Sequence, residues 1–319
     1  MRQTITITIL LAAALGLSLL LGLSLGSERL SIFDLNGTEA AIFFDIRLPR
    51  VMLSACVGAS LATAGAALQA LLRNPLAEPY LLGVSNGAAL GTMLAFVFFE
   101  QFFFARPLMA FAGAGLATFT VYQMARSRAG MNVERLVLSG VIVTTFLSSI
   151  IVLLTSLLDA ARLRGFTFWL LGDLSQATMN GFYMTLASVV FGTIVLTSQA
   201  RPLNLMMIGE RDALDFGVEV GRVRMIVFAM ASLLVGTAVA ASGSVGYVGL
   251  IVPHLVRLAI GSDNRLVVPM SAVAGAIFVV LADTVARVAI APRELPVGAV
   301  TALIGAPVFI YLLNRSGKV

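Results

Sequence analysis

The chain has 319 residues, of which 59% are hydrophobic and 12% charged, with a formal net charge of +5. A soluble domain carries about 25% charged residues, so this composition excludes a soluble enzyme, a disordered chain and a secreted disulfide scaffold. At about 20 residues per span, ten membrane-crossing helices need about 200 residues, which is close to the apolar supply.

The predicted spans follow in chain order. The first, Thr4 to Leu25, begins after Arg2. It is longer than a signal-peptide core and has no A-x-A site, so it reads as an uncleaved span. The next are Leu48 to Leu72, Val84 to Phe104, Pro107 to Ala125 and Leu136 to Leu158. Then come Phe182 to Ser198, Met225 to Ala241 and Val245 to Ile260, the last of these short and interrupted by Gly246, Gly249 and Pro253. Leu266 to Ile290 and Pro296 to Leu313 complete ten.

All basic residues except Lys318 are arginine, and they cluster between apolar runs, with no aromatic-interleaved basic stretch for nucleic acid. Placing the N-terminus in the cytoplasm leaves 13 basic residues inside, including Arg2, Arg128 and Lys318, and 8 outside, including Arg29. That bias favours both termini inside. Arginines retained outside against the bias point to another task.

Two segments depart from the span–loop pattern. Asp159 to Leu174 mixes Arg162 and Arg164 with Phe166, Phe168 and Trp169. It reads either as a short interfacial helix or as an aromatic belt. Arg201 to Arg224 alternates apolar residues with charges and is divided by Gly209, Gly217 and Gly221, the pattern of two short amphipathic helices outside the bilayer.

An internal echo relates Gly58, Ala62 and Gly65 to Gly236, Ala240 and Gly243. Both sets fit G-x-x-x-A-x-x-G, which puts small residues on one helix face for close packing. Each copy precedes a proline, at Asn74-Pro75 and Pro253-His254, where a break is expected. The two spans run in opposite directions, so the repeat is inverted.

Four strings resemble the iron–siderophore, haem and cobalamin permeases, the FecCD-like membrane subunits of type II ABC importers. They are Arg47-Leu-Pro-Arg50; Gln69 through Pro79 with Asn74-Pro75-Leu76-Ala77-Glu78-Pro79, followed by Leu82 to Gly87; Gly246 to Arg257; and Leu295 to Pro307. The resemblance implies an all-α polytopic permease of ten transmembrane helices in a single domain, 1–319, with an inverted internal repeat. The repeat-like halves are about 45–160 and 222–314, and a cytoplasmic coupling segment covers about 201–221.

The same resemblance assigns roles. Asn74 and Leu76 match an inner gate, faced by the connection near Val133 and Glu134; the residues alone read equally as a helix terminator in a turn. Leu205, Gly209, Glu210, Ala213, Leu214, Phe216 and Gly217 match a knob for a cytoplasmic ATPase, where composition alone favours a solvated loop. Arg47, Arg50, Arg287 and Arg293 match a docking surface for a periplasmic or lipoprotein substrate-binding protein. Arg287 also stands four residues after Asp283, the spacing of a helix ion pair. Ser139, Thr144 and Ser148 are translocation-path candidates. No P-loop string is present, so two ATP-binding partner subunits would hold ATP and magnesium, and this chain binds no cofactor.

The implied function is the permease subunit of an importer in the bacterial or archaeal inner membrane, paired with a second copy or sibling. The expected cargo is a metal chelate, ferric siderophore first, with haem or cobalamin as alternatives. An ion-coupled secondary transporter is the rival of another class, and Asp283 is its one clear intramembrane group. An intramembrane enzyme fails for want of a nucleophile–base or metal-ligand set: Cys56 and His254 are solitary, and His254 reads as a structural cap.

Overall fold

Run length, proline and glycine set the elements. A computed structural model describes residues 2–26, 37–99, 102, 104–127, 130–131 and 133–316. The orientation residues Arg29, Arg128 and Lys318 lie outside this set, as does the side chain of Val133 at the expected gate. Helix α1 covers Arg2–Ser24. A short α2 (Thr38–Ala41) continues through a π turn at Ile42–Arg47 into α3 (Leu48–Leu72). A 3-10 turn at Pro79–Leu82 leads into α4 (Val84–Phe98). Helix α5 (Ala105–Ala125) and α6 (Val133–Thr155) are joined by a small antiparallel ladder of Arg126–Ser127 with Gly130–Met131.

The interfacial segment is a helix, α7 (Ala160–Leu170), capped by Asp159, whose carboxylate accepts from the N–H groups of Ala161 and Arg162. Next come α8 (Met179–Ser198), α9 (Ala200–Ile208) and α10 (Glu210–Asp215). The rest are α11 (Val220–Ser242), α12 (Val248–Ile260), α13 (Asn264–Val288) and α14 (Val297–Ser316). Each predicted span contains a helix, although the third stops at Phe98 rather than Phe104 and the eighth begins at Val248 rather than Val245. Seven described helical segments are long and apolar enough to cross a membrane; those in α4, α12 and α14 are shorter.

Helix α3 is the centre of the bundle. In its most apolar stretch 89% of residues are buried inside the chain, against 11% for α1. It packs on α13, α11, α8 and α12. Close approach is possible because its small-residue stripe meets glycines. A Cβ built on Gly58 would fall 2.0 Å from the Gly275 carbonyl oxygen, and one on Gly65 1.9 Å from that of Gly249. The second copy of the echo packs differently. Gly236 has only ordinary contacts, the nearest 3.6 Å from Ala114, and Gly243 ends α11 at φ +67°.

The expected break at Pro253 is corrected. Asn74-Pro75 does stop α3, with Arg73 in the left-handed region at φ 49°. Pro253 instead lies inside α12, and the break of that half falls earlier, between Gly243 and Tyr247. Proline cannot donate to the carbonyl four residues back, here Gly249. The Gln69 side-chain amide of α3 donates to that oxygen at 3.3 Å and to Leu250 O at 3.0 Å. A bond from another helix therefore supplies what the proline lacks, and α12 continues.

Candidate functional site

Both breaks reach the middle of α3. Pro79 and Gly249 are in contact, and Gly249 lies against Leu61 and Gly65. The chain thus turns back after the inner end of α3 and rises to its midpoint before α4 begins. Helix α12 starts at the same level. Polar groups join the two breaks. Glu78 Oε1 accepts from the Tyr247 N–H at 3.1 Å, placing a carboxylate at the N-terminal end of α12 where the helix dipole favours it. The Tyr80 hydroxyl accepts from Val245 N and donates to Val245 O, both at 2.9 Å. Ser85 Oγ donates to Ser244 Oγ at 3.2 Å. Two short helices starting beside one central helix are the discontinuous-helix arrangement of transporters.

Below this crossing, the loop after α3 is exposed. Asn74 Oδ1 accepts from the Leu76 N–H at 2.9 Å, an Asx turn. Leu76 is 46% exposed although apolar. The gate candidates therefore lie together at the inner end of α3, on a turn rather than in a helix.

The segment 200–217 forms the two short helices expected. Ile208, Leu214 and Phe216 are 75%, 55% and 74% exposed. Gly217 adopts φ 79° after α10, which favours glycine. Two expected contact residues face the other way. Ala213 is buried and Leu205 is partly buried against the core. The apolar positions at one-turn spacing point back onto the bundle and leave Ile208, Leu214 and Phe216 outside. Arg224 anchors the knob by an ion pair to Glu210 at 2.7 Å.

At the opposite end, three of the four docking arginines are not displayed. Arg47, Arg50 and Arg287 are 5%, 6% and 3% exposed. Arg47 donates to Leu23 O and Ser24 O, and Arg287 to Leu25 O and Gly22 O. Both guanidiniums cap the C-terminal carbonyls of α1, which have no helix partners of their own. Asp283 bridges Arg50 and Arg287. Its Oδ1 is 3.0 Å from Arg50 Nε and its Oδ2 3.0 Å from Arg287 Nε, the latter ion-paired off the line of a hydrogen bond. Arg50 also reaches Glu294 at 2.7 Å. The predicted Asp283–Arg287 helix pair is present. Arg293 is exposed beside this cluster. A cleft of about 230 Å³ opens nearby, lined by Arg50, Phe168, Asp173, Ser175, Glu294 and Pro296 among others.

Of the path candidates, Ser148 meets α4 through its side chain and Thr144 through its backbone carbonyl. Asn86 Nδ2 donates to Thr144 O at 3.0 Å and to Ser148 Oγ at 2.5 Å, and Ser139 is buried. The exposed face of α6 carries Leu138, Val141, Ile142, Phe146 and Val152 instead. Sequence reading did not single out Asn204, Asn264 and Arg257, which form a polar junction at the inner end. Only the fold brings them together.

A helical bundle with two discontinuous helices around one buried central helix, and a protruding two-helix knob, is a transport permease. The sequence matches the FecCD transport family over residues 9–315, and the chain belongs to that family. It is 44% identical to the cobalamin import system permease protein of Halobacterium salinarum over 88% of this chain and 76% of that protein. It is 38% identical to the hemin transport system permease protein of Yersinia pestis, over 96% and 93% of the two chains. A solved metal-chelate-type ABC transporter in an inward-facing conformation superposes with a TM-score of 0.89 at 31% identity, covering 97% of this chain and 99% of that one. The chain is accordingly the permease subunit of a type II ABC importer.

Proposed function

We propose that this permease carries a metal complex of a macrocyclic ligand, of the cobalamin and haem type, into the cytoplasm. The named relatives favour that cargo class over ferric siderophores. Two ATP-binding subunits, which hold the ATP and magnesium, engage the α9–α10 knob, and a second permease copy or sibling completes the pathway. A substrate-binding protein delivers cargo at the outer face, with Arg293 and the cleft rim receiving it and Arg50 reached only through the cleft. The protein sits in the inner membrane with both termini inside. Residues 45–160 and 222–314 are inverted halves of one domain. Asn74 and Leu76 gate the inner mouth, and Ser139, Thr144 and Ser148 line the path once the second copy is present.

The observation that carries the driven-importer reading is the knob. A chain with no nucleotide-binding motif exposes Ile208, Leu214 and Phe216 on a short rigid pair of helices, which suits a groove on a cytoplasmic partner. Asp283 supports it too: with both oxygens held by arginines, it is a poor proton relay. Reconstitution in liposomes with the neighbouring ATPase and binding protein tests this. ATP-dependent accumulation of cyanocobalamin or haemin is expected, with little ferric hydroxamate. Uptake of the hydroxamate alone would overturn the cargo class. Accumulation on a proton gradient with no ATPase would overturn the importer reading.

A further inference from the structure

We infer that Asn204, Asn264 and Arg257 form a clasp that transmits movement of the ATPase-facing knob to the inner gate, with Asn264 as its central positioning residue. The inference rests on the assignment of α9–α10 as the ATPase contact.

The connections are continuous. Asn204 lies on α9. Its Oδ1 accepts from both the backbone N–H and the side-chain Nδ2 of Asn264, at 2.9 and 2.8 Å. Its own Nδ2 donates to Asp263 Oδ1 at 2.6 Å. Asn264 opens α13 and is 0% exposed. Its Oδ1 accepts from Arg257 Nη2 of α12 at 3.1 Å. The same Nη2 donates to Ala66 O of α3 at 2.9 Å. Three residues further along α3, Gln69 holds Gly249 and Leu250 of α12, and the helix ends on the gate turn at Asn74. One amide pair thus ties the knob to α12 and to α3, the helix that ends on the gate turn. The Asn264 amide has a defined orientation, because its oxygen must face the arginine, which only donates.

A rigid joint would be fully satisfied, and this one is not. Arg257 Nη1 is buried with no hydrogen-bond partner among the described residues. A buried guanidinium donor left unmade is costly, so this is the donor that the proposed movement of α9 would engage. Neutral amides suit such a joint: they lose about 1 kcal/mol per exchanged bond, where a buried ion pair would lose several. Coupling of two sites is carried by packed elements that join them, and α12 is the element that does so here. It is about 20 Å long and is held by Glu78 at its start, Gln69 within its first half and Arg257 near its end.

The test uses a reporter that needs no substrate. Leu76→Cys is introduced with Cys56→Ala, and the permease is assembled with its ATPase in liposomes. Maleimide labelling at position 76 is timed without nucleotide and after trapping with ATP and vanadate. With the clasp intact, trapping is expected to change the labelling rate about tenfold, a usual allosteric coupling. In Asn264→Leu the change should shrink to about twofold or less while ATP hydrolysis persists. Asn264→Gln, which keeps both amide functions, should restore part of it. Should Asn264→Leu fail to assemble, Asn204→Ala, at a partly exposed position, takes its place. A tenfold change surviving in the clasp variants would overturn the inference. So would an equal loss of labelling response and ATPase activity, which marks a purely structural role. No nucleotide response in the starting protein would instead overturn the ATPase assignment itself.

Discussion

At the proposed outer end of the bundle, Arg50, Asp283 and Arg287 gather ionisable groups at 6%, 0% and 3% exposure; at the proposed inner end, the junction centres on the Asn264 amide at 0%, with Asn204 and Arg257 partly buried. The outer set spends its donors on Asp283, Glu294 and the last carbonyls of α1. Its members resist separation, because an unpaired charge away from water costs several kcal/mol. The inner set centres on a neutral amide pair, and Arg257 joins it through amide and carbonyl oxygens rather than a carboxylate. Charge therefore pins one end of the bundle to α1, and amides join the helices at the other.

The largest effect is expected at the outer end. Asp283→Ala removes the anion shared by two buried guanidiniums, and loss of one partner of a buried pair costs about 3–5 kcal/mol. Thermal unfolding in detergent should show it. Asp283→Asn keeps shape but not charge and should be nearly as harmful, while ATP-driven uptake per folded molecule persists. Uptake lost with stability intact would make Asp283 a relay and remove the contrast. The next effect lies at the centre. Gly65→Ala drives a methyl into the Gly249 carbonyl oxygen, 1.9 Å away, so α12 must move; overpacking of this kind costs about 1–3 kcal/mol. Gly236→Ala, with nothing nearer than 3.6 Å, should be neutral or gain up to about 1 kcal/mol of helix propensity. Equal costs at both sites would mean that the two copies of the small-residue pattern pack alike.

Local features were legible in the sequence. Apolar run length gave the helices, Asn74-Pro75 gave the end of α3, and four-residue spacing gave the Asp283–Arg287 pair. Glycine division of a charged amphipathic stretch gave α9 and α10. What was hidden depends on partners distant in the chain. Pro253 read as a break because the amide that rescues Gly249 O is 180 residues away. Arg47 and Arg50 read as exposed docking groups because their orientation bias is visible, whereas the α1 carbonyls and Glu294, 244 residues from Arg50, are not. Asn264 carried no signal, since it follows Asp263, an ordinary N-cap residue, and its partners Asn204 and Arg257 are distant or on another helix. The inward turn of Leu205 and Ala213 follows from how α9 and α10 rest on the bundle, which amphipathic patterning leaves open.

The smallest effect belongs to the inner junction. Asp263 caps α13 through the Arg265 N–H at 3.0 Å and holds Asn204. The backbone N–H of Arg265 lowers its carboxyl below the ordinary 3.8; partial burial opposes this, and the Asn204 amide lowers it further. A depressed acid stabilises the fold fully above its unfolded value and loses that contribution as pH falls through the folded one. The contribution should therefore be present at neutral pH and fade only below about pH 4. Asp263 is exposed, so solvent screening keeps the effect slight. Asp263→Ala removes the cap and should cost about 1 kcal/mol. Asp263→Asn retains a capping oxygen and should cost less. Melting curves for these proteins, taken at neutral pH and near pH 3, should converge at the acidic end. Parallel curves would show that the carboxylate charge adds nothing, and that the junction is held by hydrogen-bond geometry alone.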